Sequence, residues 1–163
     1  MSAELLATFE KAKAEKRAAF VGFVTAGYPS YEETVPIMHA MQAGGTDVIE
    51  LGVPFTDPLA DGTTIQRTNE VALHSKKPVA ITDCLLFTKQ ARSEGLTAPV
   101  ILMGYYNPLL AYGLEKLMVD CKSSGALLRL QGTSICRLFA SAARARILGQ
   151  AARVRPVCRP ATR

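Results

Sequence analysis

The sequence predicts an α/β protein built on a parallel sheet. Three short apolar runs, FVGFVT, DVIELGV and PVILMGY, are rich in β-branched residues and alternate with longer segments of helical periodicity. Strands that are apolar along their whole length are typical of parallel sheets covered by helices. Two architectures stay open, a doubly wound sheet or part of a (β/α)8 barrel. Neither GxGxxG nor GxxxxGK[ST] occurs, which disfavours the nucleotide-binding form of the open sheet.

Helices and strands alternate along the chain in the predicted order. The pattern gives a helix over 5–12, a strand over 20–25, a helix over 31–42, a strand over 47–53, helices over 65–73 and 79–93, a strand over 99–105 and a helix from 107 to 121. Ser30 is a candidate N-cap for the second helix, and Pro36 is expected to weaken that helix or displace its start. A cap near Thr82 and Asp83 and a stop at Gly125 complete the prediction.

The charge is distributed unevenly. Up to Gly125 the chain has 11 Lys and Arg against 14 Asp and Glu, or −3, whereas the last 38 residues carry 8 Arg with no Lys and no acid. The net charge of +5 therefore comes entirely from the C-terminal segment. That segment has a single aromatic residue, Phe139, so it offers no stacking platform for bases and nucleic acid is not the expected partner.

The cysteines and the hydropathy indicate a cytoplasmic protein without a metal site. Cys84, Cys121, Cys136 and Cys158 form no CxxC pair and have no histidine at metal-ligand spacing, which is typical of free thiols in a reducing compartment. No apolar run approaches the roughly 20 residues that cross a bilayer. The N-terminal MSAELLATFEKAKAEKR contains acids and no apolar signal core, so it predicts a helix of the folded protein.

An acidic stretch, IELGVPFTDPLADGTTIQ, holds the candidate chemistry. Glu50 lies inside an apolar strand, where a carboxyl group is costly unless it is paired or keeps its proton, and such a group suits general acid–base work. Asp57 and Asp61 follow in a loop, where Asp-Pro and Asp-Gly also simply form turns. If the fold is a barrel, Glu50 and Asp61 converge at the C-terminal mouth of the strands.

ELGVPFTDPLADG, with FVTAGYP upstream and ILMGYYNP downstream, resembles the α subunit of tryptophan synthase, and most closely the α portion of the fused fungal-type enzyme. The resemblance covers residues 1–125, about half of such a subunit. It implies a (β/α)8 barrel and a lyase of tryptophan biosynthesis that cleaves indole-3-glycerol phosphate to indole and glyceraldehyde 3-phosphate by a retro-aldol reaction. One position departs from the family pattern ADGPTIQ, because Thr63 stands where proline is usual.

The resemblance also implies roles for individual residues. Glu50 is implied as the proton shuttle and Asp61 as the carboxylate that pairs with the indole N–H. The residues implied to line or support the indole pocket are Phe23, Thr25 and Tyr105. Those implied to face the β subunit, or a fused β domain, are Pro54, Asp57 and Asn107. Pyridoxal phosphate is expected only in the β partner, and this chain is expected to hold no cofactor.

The resemblance ends where the composition changes. We expect residues 1–125 to form the first three or so β/α units of the barrel and residues 126–163 to be an unrelated Arg-rich tail. The tail is interpreted as out-of-frame or intron-derived translation, or as a basic segment that binds phosphates. With the family's glycine-rich phosphate loops missing, weak or no lyase activity is expected. A non-catalytic module that binds the β subunit is the alternative, and a nucleic-acid-binding protein is the third.

Overall fold

The computed structural model describes residues 3–131, which form helices alternating with strands. The elements are α1 (Ala3–Ala14), β1 (Val21–Thr25), α2 (Thr34–Ala43), β2 (Val48–Gly52), α3 (Thr63–Leu73), α4 (Ile81–Ser93), β3 (Val100–Tyr105), α5 (Tyr106–Tyr112), α6 (Leu114–Ser124) and β4 (Ala126–Gln131). The predicted order of helices and strands is confirmed up to β3.

All four strands are parallel and lie side by side in chain order, β1-β2-β3-β4. A doubly wound sheet would reverse its strand order at a switch point, whereas a barrel adds each strand beside the previous one. The described sheet contains no reversal. The α/β class is confirmed, and of the two architectures left open the strand order favours the barrel.

The sheet continues past the predicted boundary at Gly125. This glycine has φ +75 and ends α6 in the left-handed conformation, which turns the chain back toward the sheet. β4 then pairs in parallel with β3, with Ala126 beside Val100 and Leu128 beside Leu102. The sequence analysis did not predict this strand. The rest of the predicted tail, residues 132–163, lies outside the described residues.

Two predicted helix boundaries were wrong. The second helix begins at Thr34 and Ser30 does not cap it, since the Ser30 hydroxyl donates to the Glu33 carboxylate instead. Pro36 then occupies the first turn, where its missing N–H leaves no bond unmade, so the expected displacement of the start is confirmed. The helix predicted from 107 to 121 is two helices, because Gly113 interrupts it with φ +94.

The core lies between the helices and one face of the sheet. Ile49 and Leu51 of β2 and Leu102 of β3 are fully buried there against helix residues such as Met38 and Leu117. Burying a side chain of this size contributes roughly 1.5–3 kcal/mol. On the opposite face Thr25 and Val48 are buried, and the half-buried side chains are Phe23, Glu50, Ile101, Met103 and Tyr105. Within residues 3–131 the predicted cover by helices is observed on the face that carries the core cluster.

Ionic contacts hold the N-terminal edge of the sheet. The Arg17 guanidinium donates to both carboxylate oxygens of Asp47, one at 2.8 Å, and Asp47 also accepts the Phe20 amide at 2.8 Å. These bonds lower the pKa of Asp47 to about 2, with the Arg17 bond the largest cause. Arg92 donates to the Leu96 carbonyl at 2.9 Å, to the Gly125 carbonyl at 3.2 Å and to Glu4 at 3.1 Å.

Cys84 and Cys121 are free and buried. Burial raises the pKa of the Cys121 thiol to about 11 and raises that of Cys84 further, so neither is an activated nucleophile. Cys136 and Cys158 lie outside the described residues. Among residues 3–131 no helix is long and apolar enough to cross a bilayer, and no group of three potential ligands is arranged for a metal ion.

Candidate active site

Glu50 lies in the middle of β2 on the face away from the helices. In the sheet register its neighbours are Phe23 of β1 and Ile101 of β3, so the carboxyl-bearing residue is flanked by two apolar ones. Glu50 is half-buried, whereas Ile49 and Leu51 on the other face are fully buried. The deep burial predicted for Glu50 is therefore only partial, because the side chains of a strand alternate between the two faces.

Phe23 forms an aromatic wall beside Glu50. A Cβ added at Gly52 would lie 2.6 Å from the Phe23 Cζ atom, so the ring packs directly over the glycine backbone. Gly52 is two residues beyond Glu50 on the same face of β2. The glycine therefore gives the aromatic ring room to lie across the strand next to the carboxyl group.

Asp61 lies in the loop between β2 and α3, where Tyr105 holds it. The Tyr105 hydroxyl donates to Asp61 Oδ2 at 3.0 Å and accepts the Ala60 amide at 3.0 Å. Burial raises the pKa of Tyr105 and the Asp61 carboxylate adds to the rise, while the Ala60 amide opposes it. Tyr105 is thus kept as a neutral donor. Tyr105 was predicted to line or support the indole pocket, and in the structure it contacts Asp61 directly.

The start of the same loop is held by Asn69, which the sequence analysis missed. Asn69 is buried on α3; its Oδ1 accepts the Phe55 amide at 3.0 Å, and its Nδ2 donates to the Ile65 carbonyl at 2.8 Å. The Phe55 ring stacks on Tyr105 with centroids 4.9 Å apart. The sequence does contain a signal for this residue. Asn69 is a polar residue at a position of the apolar stripe of α3, between Ile65 and Ala72. Polar groups in such positions are buried only with partners.

Thr25 is buried at the end of β1 and bonds to α3. Its hydroxyl lies 2.6 Å from that of Thr68, and Thr68 donates its own hydrogen to the Ile65 carbonyl at 2.8 Å. The shared bond is therefore donated by Thr25. The contact fixes α3 against β1, so in the structure Thr25 supports the site through the helix that follows the Asp61 loop.

The three residues predicted to face a partner have different surroundings. Pro54 is buried at the start of the loop, whereas Asp57 is exposed and Asn107 is exposed in the first turn of α5. Asp57 accepts the Thr56 hydroxyl at 2.8 Å, and its carbonyl accepts the Leu59 amide, as expected of a turn-forming aspartate. Leu59 itself is 87% exposed at the tip of this loop.

A cleft of about 700 Å³ lies between the same loop and α3. Its lining includes Phe55, Pro58, Arg67 and His74, and none of the predicted site residues. Glu50 and Asp61 lie outside this cleft, whose polar lining side chains are exposed. Glu50 beside an aromatic wall can exchange a proton, and Asp61 can accept a hydrogen bond from a ligand N–H.

Comparison with known proteins shows which family the chain resembles. The family model described as tryptophan synthase alpha chain matches residues 9–128. Tryptophan synthase of Saccharomyces cerevisiae is 53% identical over 126 residues, which are 77% of this chain and 18% of that protein. The tryptophan synthase alpha chain of Chloroflexus aggregans is 43% identical over 118 residues, which are 72% of this chain and 43% of that protein. The chain thus spans less than half the length of these relatives.

Solved structures give the same family. Tryptophan synthase subunit alpha from Legionella pneumophila superposes with a TM-score of 0.77 at 34% identity, over 86% of this chain and 56% of that one. An aminoacrylate-bound tryptophan synthase from M. tuberculosis superposes with a TM-score of 0.76 at 32% identity, over 89% of this chain and 59% of that one. On the sequence match and the shared parallel sheet, the chain belongs to the tryptophan synthase alpha chain family.

Proposed function

We propose that this chain carries the acid–base pair of a lyase site that cleaves indole-3-glycerol phosphate to indole and glyceraldehyde 3-phosphate in tryptophan biosynthesis. Membership of the tryptophan synthase alpha chain family supports the proposal. The observation that carries it is the setting of the two carboxyl groups. Glu50 lies between Phe23 and Ile101 on one face of the sheet, and Asp61 is bonded to Tyr105 in the following loop.

In the proposed reaction Glu50 donates one proton and later accepts a different one. It gives the proton to the indole ring carbon that bears the glycerol chain, and positive charge develops on the ring nitrogen, whose N–H donates to Asp61. The carbon–carbon bond then breaks and its electron pair returns to the ring, which restores indole. Glu50 takes up the proton of the hydroxyl on the glycerol carbon that was bonded to the ring. That carbon becomes the aldehyde carbon. The negative charge of Asp61 stabilises the cationic ring nitrogen along the way.

The Phe23 wall fits the substrate proposed for this site. An aromatic ring beside the proton donor offers apolar contact to the flat indole ring, and stacked or edge-on aromatic pairs contribute about 0.5–1.5 kcal/mol beyond area burial. Phe23 keeps this position because Gly52 leaves space under the ring. We assign phosphate binding to no segment of residues 3–131, so we expect the 163-residue chain alone to release indole slowly or not at all.

The test supplies the remaining barrel from a relative. Residues 1–128 are fused to the part of the Chloroflexus aggregans alpha chain that follows its match, and indole release from indole-3-glycerol phosphate is measured. We expect activity in the fusion. Glu50→Gln should lower kcat about 10²–10⁴-fold, the usual contribution of general acid–base catalysis, and Asp61→Asn about 10²-fold or more.

Asp57→Asn is the matched control, because Asp57 is an exposed carboxylate of the same loop. Its side chain accepts a hydrogen bond from the neighbouring Thr56 hydroxyl. It should leave kcat nearly unchanged. An active fusion whose Glu50→Gln variant stays within tenfold of the parent would contradict the role of Glu50. The unfused 163-residue chain is assayed in parallel, and turnover equal to that of the fusion would contradict the expected loss.

A second function, binding to a β subunit without catalysis, is favoured by the exposed tip of the acidic loop. Leu59 is a large apolar residue that is 87% exposed, and Asp57 beside it is exposed as well. A pull-down of a tryptophan synthase β subunit by the 163-residue chain tests this function. Capture that is lost in Leu59→Asp, together with no indole release by the fused barrel, would favour the binding module over the lyase.

A further inference from the structure

We propose that Asn69 is a positioning residue that sets the location of the Asp61 carboxylate through a relay of contacts. Asn69 Oδ1 accepts the Phe55 amide at 3.0 Å at the start of the loop. Phe55 stacks on Tyr105, and Tyr105 bonds both Ala60 and Asp61 at the end of the loop. The importance of this relay for catalysis rests on the proposed function of Asp61.

The first step of the relay is fixed by burial. Asn69 is 6% exposed, and both ends of its amide are bonded, to the Phe55 amide and to the Ile65 carbonyl. The bond to Ile65 lies within α3 and holds the side chain in one orientation, so that Oδ1 points to the loop. A buried amide with both partners in place is costly to remove, because each partner then loses its bond without access to water.

The second step passes through two rings. The Phe55 amide is held by Asn69, and the Phe55 ring lies against Tyr105 at 28° between planes. Tyr105 is the last residue of β3, so its backbone is part of the sheet while its ring depends on the packing of Phe55. If the start of the loop moves, the stacking surface on Tyr105 moves with it.

The third step reaches the carboxylate. The Tyr105 hydroxyl makes two hydrogen bonds. It accepts one from the Ala60 amide and donates one to Asp61 Oδ2, both at 3.0 Å. Gln66 adds a bond from its Nε2 to the Asp61 carbonyl at 2.9 Å, which fixes the backbone but not the carboxylate. The side-chain direction of Asp61 therefore responds to Tyr105, and Tyr105 responds to Asn69 through Phe55.

The decisive measurement is amide hydrogen exchange on the complete 163-residue chain, which requires no activity. Asn69→Leu removes the acceptor at similar size. It should speed exchange about fivefold at Phe55 and also at Ala60, the fold-change that corresponds to losing one ordinary hydrogen bond. Tyr105→Phe should speed exchange at Ala60. Faster exchange at Phe55 with no change at Ala60 in Asn69→Leu would overturn the relay.

Two further variants separate positioning from general destabilisation. Asn69→Asp keeps an acceptor oxygen but loses the donor to Ile65, so it should restore protection of Phe55 and Ala60 in part. Thr68→Val, at the neighbouring position on α3, loses the bonds to Thr25 of β1 and Ile65 of α3, both of which lie outside the loop. It should leave both amides protected even if it lowers stability. Equal acceleration in Thr68→Val and Asn69→Leu would mean loss of the whole helix and would overturn the proposal.

The catalytic consequence is measured in the fused barrel. Asn69→Leu should lower kcat about tenfold with little change in KM, and Asn69→Asp should recover part of the lost kcat. A fusion that releases no indole in any variant would contradict the proposed lyase function while the exchange data still decide the relay. Accelerated exchange at Ala60 together with an unchanged kcat would overturn the positioning role.

Discussion

The two edges of the sheet are held by different chemistry. At the N-terminal edge the contacts are ionic, with Arg17 on Asp47 and Arg92 on Glu4 and two carbonyls. At the C-terminal edge three neutral groups hold the Asp61 loop and the helix after it. They are the hydroxyls of Thr25 and Tyr105 and the amide of Asn69. In parallel barrels the C-terminal edge carries the active site and the other edge carries stability.

The difference has a physical reason in the charge of the proposed site. A cation bonded to Asp61 would neutralise the carboxylate and compete with a ligand N–H for its oxygens. A tyrosine hydroxyl donates a hydrogen bond to the carboxylate and brings no charge of its own. At the opposite edge there is no candidate ligand-binding carboxylate to keep available. Arg17 and Arg92 can therefore connect the segments before successive strands through charged hydrogen bonds. Substitutions at either edge can test this division.

Replacing Arg92 should give the largest loss of stability. The guanidinium bonds the Leu96 carbonyl before β3 and the Gly125 carbonyl before β4, and its side chain is only 20% exposed. Arg92→Met leaves these acceptors without their donor, which should lower the free energy of unfolding by roughly 2 kcal/mol. Urea denaturation of the 163-residue chain measures it. Arg67→Met, at an exposed site on α3, is the control, and equal losses in both variants would contradict a special role for Arg92.

Acid should weaken the N-terminal edge through Asp47. The folded pKa of about 2 lies below the ordinary value of 3.8, so the ionised form is favoured by folding. The resulting stability is fully present above about pH 4 and is lost as the pH falls toward 2. The difference in unfolding free energy between the parent and Asp47→Asn should therefore be constant near neutral pH and shrink below pH 4. The effect should be smaller than that of Arg92→Met, because Arg17 is largely solvated.

The control for the acid experiment is Asp57→Asn, which changes an exposed carboxylate at the opposite edge and leaves the Arg17 pair intact. The unfolding free energy of Asp57→Asn should differ little from that of the parent. A difference for Asp47→Asn that persists unchanged to pH 2 would mean that the stabilisation does not come from the ionised carboxylate.

Much of the fold was predictable from the sequence, and the exceptions have local causes. β1 to β3 were found because each is a short apolar run between helical segments. β4 was missed because its second half, with Arg129 and Gln131, resembles the Arg-rich sequence after it rather than a buried strand. The break at Gly113 was missed because leucines continue the helical period on both sides, at Leu110 and Leu114. Only the backbone conformation of Gly113 reveals the interruption.

The candidate site also has a part that the sequence predicts and a part that it does not. Glu50 and Asp61 were identified from a contiguous motif, and whether they are catalytic stays a prediction. The contacts that hold Asp61 could not be predicted, because Tyr105 is 44 residues away in sequence and meets it only through strand packing. Asn69 lies just beyond the motif, in a helix whose period predicted an apolar residue. Positioning residues are found from the folded chain, since their partners are set by tertiary structure.

The smallest effect is expected at Thr25, and it separates two roles for this residue. The resemblance implies that Thr25 lines or supports the indole pocket, whereas the structure has it donating to Thr68 on α3. Thr25→Val keeps the shape, and Thr68 keeps its own bond to Ile65, so unfolding free energy should fall by about 1 kcal/mol or less. Thr25→Ser should restore it. In the fused barrel KM should stay unchanged, because a support acting through α3 makes no contact with substrate. A raised KM with unchanged stability would instead make Thr25 a direct binding residue.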